Sequence, residues 1–270
     1  MNNIKKILFC LLLGLNINCN LFFSQNLTFE QSQDLIVLKS GDTLNSAWAG
    51  GINSAQISTM DLNNDQRDDV VIFDKSGNKI IPFINTNGDY IYAPIYRDAF
   101  PKVHDWLILA DYNCDGKNDI YTYSSGGIAI YENISDTILK FNLITSLLLS
   151  DYGQNNINIY VSPVDIPAIS DIDYDGDLDI LTFYITGGFV EYHRNMSKEI
   201  TNSCDTIAFR REESCWGLFY EGLNTYTLNC LNCQCPAIIN NTNTLNSFGI
   251  LSIINVLPEY KLDPKIQNNK

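Results

Sequence analysis

Three nine-residue stretches share one acidic pattern, D-x-[DN]-x-D-x-x-x-D, and this recurrence restricts the fold more than any other feature of the chain. They run from Asp61 to Asp69 (DLNNDQRDD), from Asp111 to Asp119 (DYNCDGKND) and from Asp171 to Asp179 (DIDYDGDLD). Their first aspartates are 50 and then 60 residues apart. Each copy follows a short apolar stretch (AQIST, DWLILA, IPAIS) and precedes a β-rich one (VVIFD, IYTY, ILTF). A glycine turn comes next, at Gly77, Gly126–Gly127 or Gly187–Gly188, and then a further strand that ends at Asn85, Asn133 or Asn195. The unit is therefore strand, acidic loop, strand, glycine turn, strand. Apolar runs this short and this rich in Ile, Val, Tyr and Phe predict an all-β chain rather than long helices.

The spacing suits a hard cation. Ca²⁺ takes roughly six to eight oxygens, and carboxylates at alternate positions of a tight loop point inward together. Positions one, three, five and nine supply side chains, and position seven offers its backbone carbonyl. The expected ligands are Asp61, Asn63, Asp65, the Arg67 carbonyl and Asp69 in the first loop. In the second they are Asp111, Asn113, Asp115, the Lys117 carbonyl and Asp119; in the third, Asp171, Asp173, Asp175, the Asp177 carbonyl and Asp179. Glycine at position six permits a left-handed backbone, and Gln66 in that place in the first loop is expected to cost about 1 kcal/mol. An EF-hand is excluded, because position twelve holds Ile72, Thr122 and Thr182 rather than Glu, and the flanks are β-branched.

The charge distribution agrees. The 270-residue chain has 31 acidic and 17 basic side chains, a net charge of −14, and 12 of the acidic residues lie in these 27 loop positions. Carboxylates so crowded repel one another without a counter-ion, and three Ca²⁺ would bring −14 to −8. A chain this acidic has no basic face for nucleic acid. Its 45% apolar content is enough for a core, which excludes a disordered acidic tail.

The first residues read as an export signal: Lys5 and Lys6, the apolar run Ile7 to Leu15, then polar residues, with cleavage expected after Ser24 and lipid attachment at Cys19 as the alternative. No later segment is long and apolar enough for a helical membrane span. Export makes disulfides expected among Cys114, Cys204, Cys215, Cys230, Cys233 and Cys235, five of which crowd into residues 204–235. Cys204 with Cys215 is the preferred pair. A zinc site from Cys230, Cys233 and Cys235 is the alternative, although no histidine lies nearby to complete it.

The acidic loops between short strands, with stretches such as AWAGGINSAQIS, DYNCDGKNDIYTYSSGGIAIY and GGFVEYH, resemble the FG-GAP (VCBS-type) repeats of integrin-like β-propellers in exported proteins of Bacteroidota type. The resemblance covers roughly residues 45–220. It implies four-stranded propeller blades over residues 25–235, about four in number and forming a small or incomplete ring, followed by a tail or degenerate blade over 236–270. It also implies about three structural Ca²⁺ ions in the loops named above. An open stack would leave unpaired strand edges, which favour self-association or a partner.

Catalytic signals are sparse. Of the two histidines, His104 stands beside Asp105 and Trp106, and His193 follows Tyr192; neither belongs to a G-x-S-x-G or H-E-x-x-H motif, and a structural or surface role is expected for both. Tyr121, Tyr123 and Tyr131 are expected to pack between blades, and Trp48, Trp106 and Trp216 to lie in the core or between blades. The expectation is a secreted or surface-held, non-enzymatic, calcium-binding module for adhesion to a surface protein or glycan. A calcium-dependent polysaccharide lyase is the alternative.

Overall fold

The computed structural model describes residues 35–44 and 46–235; the expected signal over 1–24 and the expected tail over 236–270 lie outside the described residues. The described residues fall into two units, 35–44 and 46–235. In the first, β1 (Leu38–Lys39) and β2 (Asp42–Thr43) pair antiparallel.

The second unit is built from antiparallel meanders. Strands β3 (Ala55–Met60), β4 (Asp69–Asp74), β5 (Lys79–Thr86) and β6 (Asp89–Tyr92) hydrogen-bond in chain order. The second sheet repeats this with β7 (Leu107–Ala110), β8 (Asp119–Ser124), β9 (Gly127–Asn133) and β10 (Phe141–Thr145). A hairpin of β11 (Leu149–Asp151) and β12 (Asn156–Asn158) follows. The third meander comprises β13 (Ala168–Ser170), β14 (Asp179–Phe183), β15 (Val190–Asn195) and β16 (Phe209–Glu213), and β11 joins it parallel to β16, making six strands. A short helix, α1 (Ser197–Thr201), links β15 to β16, and β17 (Phe219–Glu221) pairs with β18 (Tyr226–Leu228). The fold is all-β, and no sheet among the described residues closes on itself. Three meanders are present among these residues, where the resemblance implied about four blades over residues 25–235; part of the longer second interval is taken up by the β11–β12 hairpin.

The apolar runs are continuous rather than alternating because both faces of the middle sheet are covered. Leu107 and Ile120 face the first sheet, packing with Met60, Val71, Phe73 and Ile80. Their strand neighbours Trp106, Ile108 and Tyr121 turn the other way and pack with Ile159, Ile169 and Ile180. Full burial of a side chain the size of Phe73 stabilises by about 1.5–3 kcal/mol. Tyr121 is buried and Tyr123 partly buried in the cluster around Trp106, and Tyr131 is partly buried against the cluster around Phe73. Trp106 is fully buried and Trp216 packs against a third cluster around Leu181 and Val190, but Trp48 is 39% exposed, which corrects its assignment to the core.

Gly126 and Gly127 let the segment before β13 pass close to the second sheet. Gly126 has φ 79°, and a Cβ on Gly127 would lie 2.7 Å from Leu147 Cδ1 and 3.1 Å from the Ile159 carbonyl oxygen. With that space kept open, Leu148 N donates to Ile128 O at 2.8 Å and Val161 N to Gly126 O at 3.2 Å. The same segment then pairs with β16, tying the second sheet to the third.

The disulfides are Cys114–Cys204, Cys215–Cys233 and Cys230–Cys235. The expected Cys204–Cys215 pair is therefore corrected. Strand β16 separates those two residues, and five extended residues span roughly 17 Å, whereas a disulfide needs Cα atoms within about 7 Å. The zinc alternative is also overturned, since Cys230, Cys233 and Cys235 are all in disulfides. Three disulfides suit an oxidising compartment. No helix among the described residues is long and apolar enough to cross a membrane.

Candidate metal centre

Each acidic stretch forms the first turn of a meander and is held by the same bonds. The ninth-position aspartates, Asp69, Asp119 and Asp179, are fully buried. One oxygen of each accepts from the backbone N–H of loop position two: Leu62, Tyr112 and Ile172, all at 2.9 Å. The other accepts from the backbone N–H of Asn85 (2.7 Å), Asn133 (2.6 Å) or Asn195 (2.8 Å). Those asparagines in turn donate Nδ2 to the carbonyls of Asp68, Asn118 and Leu178. Their Oδ1 atoms accept from Gly88, Ser135 and Ser197 N–H. A buried carboxylate and a strand-end asparagine thus clamp every loop to the third strand of its meander. The asparagine spacing was visible in the sequence, but its bonding was not.

Position one caps the loop interior. Asp61, Asp111 and Asp171 accept from the position-six N–H of Gln66 (2.7 Å), Gly116 (2.8 Å) and Gly176 (3.2 Å). Positions one and three converge in the first two loops, since Asp65 N lies within 3.1 Å of Asp61 and Asn63 oxygens, and Asp115 N within 3.2 Å of Asp111 and Asn113 oxygens. The position-five carboxylate accepts from the position-seven N–H in all three loops. Position six is left-handed throughout, with φ 64° at Gln66, 85° at Gly116 and 97° at Gly176, as expected. Position four is left-handed too, at Asn64, Cys114 and Tyr174, which the sequence did not suggest.

The third loop gathers the most carboxylates. Oxygens of Asp171, Asp173 and Asp179 lie within 4.8 Å of one another, as do those of Asp173, Asp175 and Glu199, and these are the two convergent acidic groups among the described residues. Asp171 Oδ1, Asp173 Oδ1 and Asp177 Oδ1 are sealed from solvent with no hydrogen-bond partner, and Asp177 is only 1% exposed. Unpaired buried carboxylate oxygens are costly unless a cation meets them. A donor set made wholly of carboxylate and amide oxygens fits a hard divalent ion, so the residues present suit Ca²⁺. The position-seven side chains do other things: Arg67 pairs with Asp65 at 2.6 Å, Lys117 Nζ donates to Ser135 O, and Asp177 Oδ2 accepts from Lys198 N.

Burial sets the electrostatics. It pushes the Asp119 carboxyl up to about 7, Asp177 up to about 7 and Asp179 up to about 6, and raises Asp69 and Asp173 as well. Asp65 moves the other way, held low by its hydrogen bonds from Arg67. Sequence reasoning missed the basic and acidic side chains that reach in from outside the loops. Arg194 Nε lies 2.5 Å from Asp173 Oδ2, and its guanidinium also pairs with Asp175 and Glu199. Glu132 Oε1 accepts from Asn113 Nδ2 at 3.3 Å.

The second loop is joined to both neighbours. Asn118 Nδ2 donates to Thr59 O at 2.7 Å, at the end of β3. The Cys114–Cys204 disulfide lies against the third loop, with Cys114 Sγ 3.4 Å from the Gly176 carbonyl oxygen.

The histidines have distinct settings. His104 Nδ1 and Asp105 Oδ2 form an exposed pair at 2.5 Å. His193 is fully buried, its Nδ1 2.9 Å from Ser150 Oγ, and its Nε2 stands 3.8 Å from Glu191 Oε2. Arg211 completes this network, pairing with Glu191 at 2.9 Å and lying 4.2 Å over the Tyr152 ring. Ser150, His193 and Glu191 are ordered like a nucleophilic triad, but Ser150 is only 1% exposed. Burial, with Arg211 nearby, lowers His193 to about 3, so it stays neutral. The network pins β11 across β16 to β15.

Comparisons of the chain with protein-family models, with curated proteins and with solved structures gave no match.

Proposed function

We propose that this chain is a secreted or surface-held, non-enzymatic calcium-binding module whose meanders are blades of an FG-GAP/VCBS-type propeller. The observation that carries this is the convergence of Asp171, Asp173 and Asp179 oxygens, with Asp171 Oδ1 and Asp173 Oδ1 buried and unpartnered, inside a loop whose clamp recurs in all three meanders. The residues that would hold Ca²⁺ are Asp61, Asn63, Asp65 and Asp69; Asp111, Asn113, Asp115 and Asp119; and Asp171, Asp173, Asp175 and Asp179, with the carbonyls of Arg67, Lys117 and Asp177. The ion supplies positive charge that offsets carboxylate repulsion and holds each loop against its strand. Extracellular modules bind Ca²⁺ with dissociation constants of roughly 10⁻⁴–10⁻³ M, so at millimolar Ca²⁺ each site adds about 0.5–1.5 kcal/mol. Binding of a surface protein or glycan suits a rigid, acidic scaffold with exposed tyrosines such as Tyr174 and Tyr184.

Metal analysis of the purified mature chain, with melting curves in Ca²⁺ and in EDTA, tests the proposal. Bound calcium near three equivalents and a melting temperature several degrees lower in EDTA are expected. Identical curves together with no bound metal would overturn it.

A further inference from the structure

The three loops share their clamp but differ at one neighbouring position. The residue just before the clamping asparagine is Ile84 in the first meander, Glu132 in the second and Arg194 in the third. In the second and third this side chain reaches the same place, position three of the adjoining loop. Glu132 Oε1 meets Asn113 Nδ2 at 3.3 Å, and Arg194 Nε meets Asp173 Oδ2 at 2.5 Å. Ile84 instead packs against the core between the first two sheets. One position thus holds an apolar, a negative and a positive side chain, and the two charged ones reach position three of their loops.

We propose that this position tunes the cation affinity of each loop, Glu132 strengthening the second site and Arg194 weakening the third. The inference rests on the calcium-binding proposal and adds residues outside the nine-residue motif. Glu132 brings a carboxylate to a loop whose third position is a neutral amide. Lys117, the one basic residue inside that loop, directs its ammonium to the Ser135 carbonyl. Arg194 acts as a built-in counter-ion: it lies among Asp173, Asp175 and Glu199, the acidic group whose oxygens come within 4.8 Å of one another. A divalent ion entering the third loop must compete with that guanidinium for Asp173 and Asp175. Position three is where the competition is decided, because Asp173 belongs to both convergent groups.

The test is calcium titration calorimetry on the EDTA-stripped mature chain, comparing wild type with Glu132→Gln, Glu132→Lys and Arg194→Gln. A unit charge acting on a divalent ion a few ångströms away near a wet surface changes affinity roughly tenfold. Glu132→Gln should weaken one binding step by about that factor and Glu132→Lys by more, whereas Arg194→Gln should strengthen one step. A merely structural ion pair at Arg194 would lower the melting temperature of the stripped chain and leave every affinity unchanged. If wild type binds calcium and the Glu132 and Arg194 variants bind it within twofold of wild type, the tuning is overturned while the calcium proposal stands. If wild type takes up no ion, both fall together. Should Arg194→Gln fail to fold, the graded Glu132 pair decides the question alone.

Discussion

Removing the Cys114–Cys204 disulfide, by Cys114→Ser with Cys204→Ala, gives the largest single loss expected from a covalent change in this chain. The cross-link closes a segment of 90 residues, the others segments of 18 and 5. In the chain-entropy description a cross-link stabilises by limiting the unfolded ensemble, by about 4–5 kcal/mol for the longest segment, about 3 for the middle one and about 2 for the shortest. A domain is stable by only about 5–15 kcal/mol, so the longest cross-link carries a large share of that margin. At roughly 2–4 °C per kcal/mol for a chain of this size, its loss should lower the melting temperature by roughly 10–20 °C. Urea unfolding at fixed Ca²⁺ is the assay, with Cys230→Ala/Cys235→Ala as the short-loop comparison. Peptide mapping under non-reducing conditions checks the pairing itself. A long cross-link that costs no more than the short one, or a map that joins Cys204 to Cys215, would contradict this expectation.

Asp119→Ala should destabilise by about 2–6 kcal/mol, because it leaves the Tyr112 and Asn133 N–H groups without an acceptor in a buried site; chemical denaturation measures it. Gln66→Gly should stabilise by up to about 1 kcal/mol, since φ there is 64°, and an unchanged urea midpoint would remove strain from the account. Stability of the calcium-free chain should fall as pH rises. Burial raises Asp119 and Asp177 to about 7 and Asp179 to about 6, above the ordinary carboxylate value of about 4. The folded state therefore holds protons that the unfolded state has released; this contribution is complete below about pH 4 and lost through pH 6–7. Urea midpoints in EDTA should decline from pH 5 to 7.5, and saturating Ca²⁺ should flatten the slope. A midpoint that climbs over that interval in EDTA would contradict the assignment of burial as the dominant cause.

Local chemistry made much of this protein legible from its sequence. Strand identity follows from runs such as VVIF, IYTY and ILTF, and the loop conformation follows from aspartates at alternate positions with a left-handed sixth residue, a requirement that Gln66 meets without glycine. Those features depend on residues a few places apart, which a one-dimensional pattern records. Contacts between distant segments carry no such record. Cys204 lies 11 residues before Cys215 in the sequence, yet β16 holds them apart while folding brings Cys114 close across 90 residues. Glu132 and Arg194 read as ordinary strand residues until the β9 and β15 registers bring them to the loops. Oxygen-rich loops were thus specified by the sequence, whereas the third dimension decided which charges surround each loop and which sheets the cysteines and the β11 segment tie together. Electrostatic environment depends on through-space distance, and only the packed chain sets that.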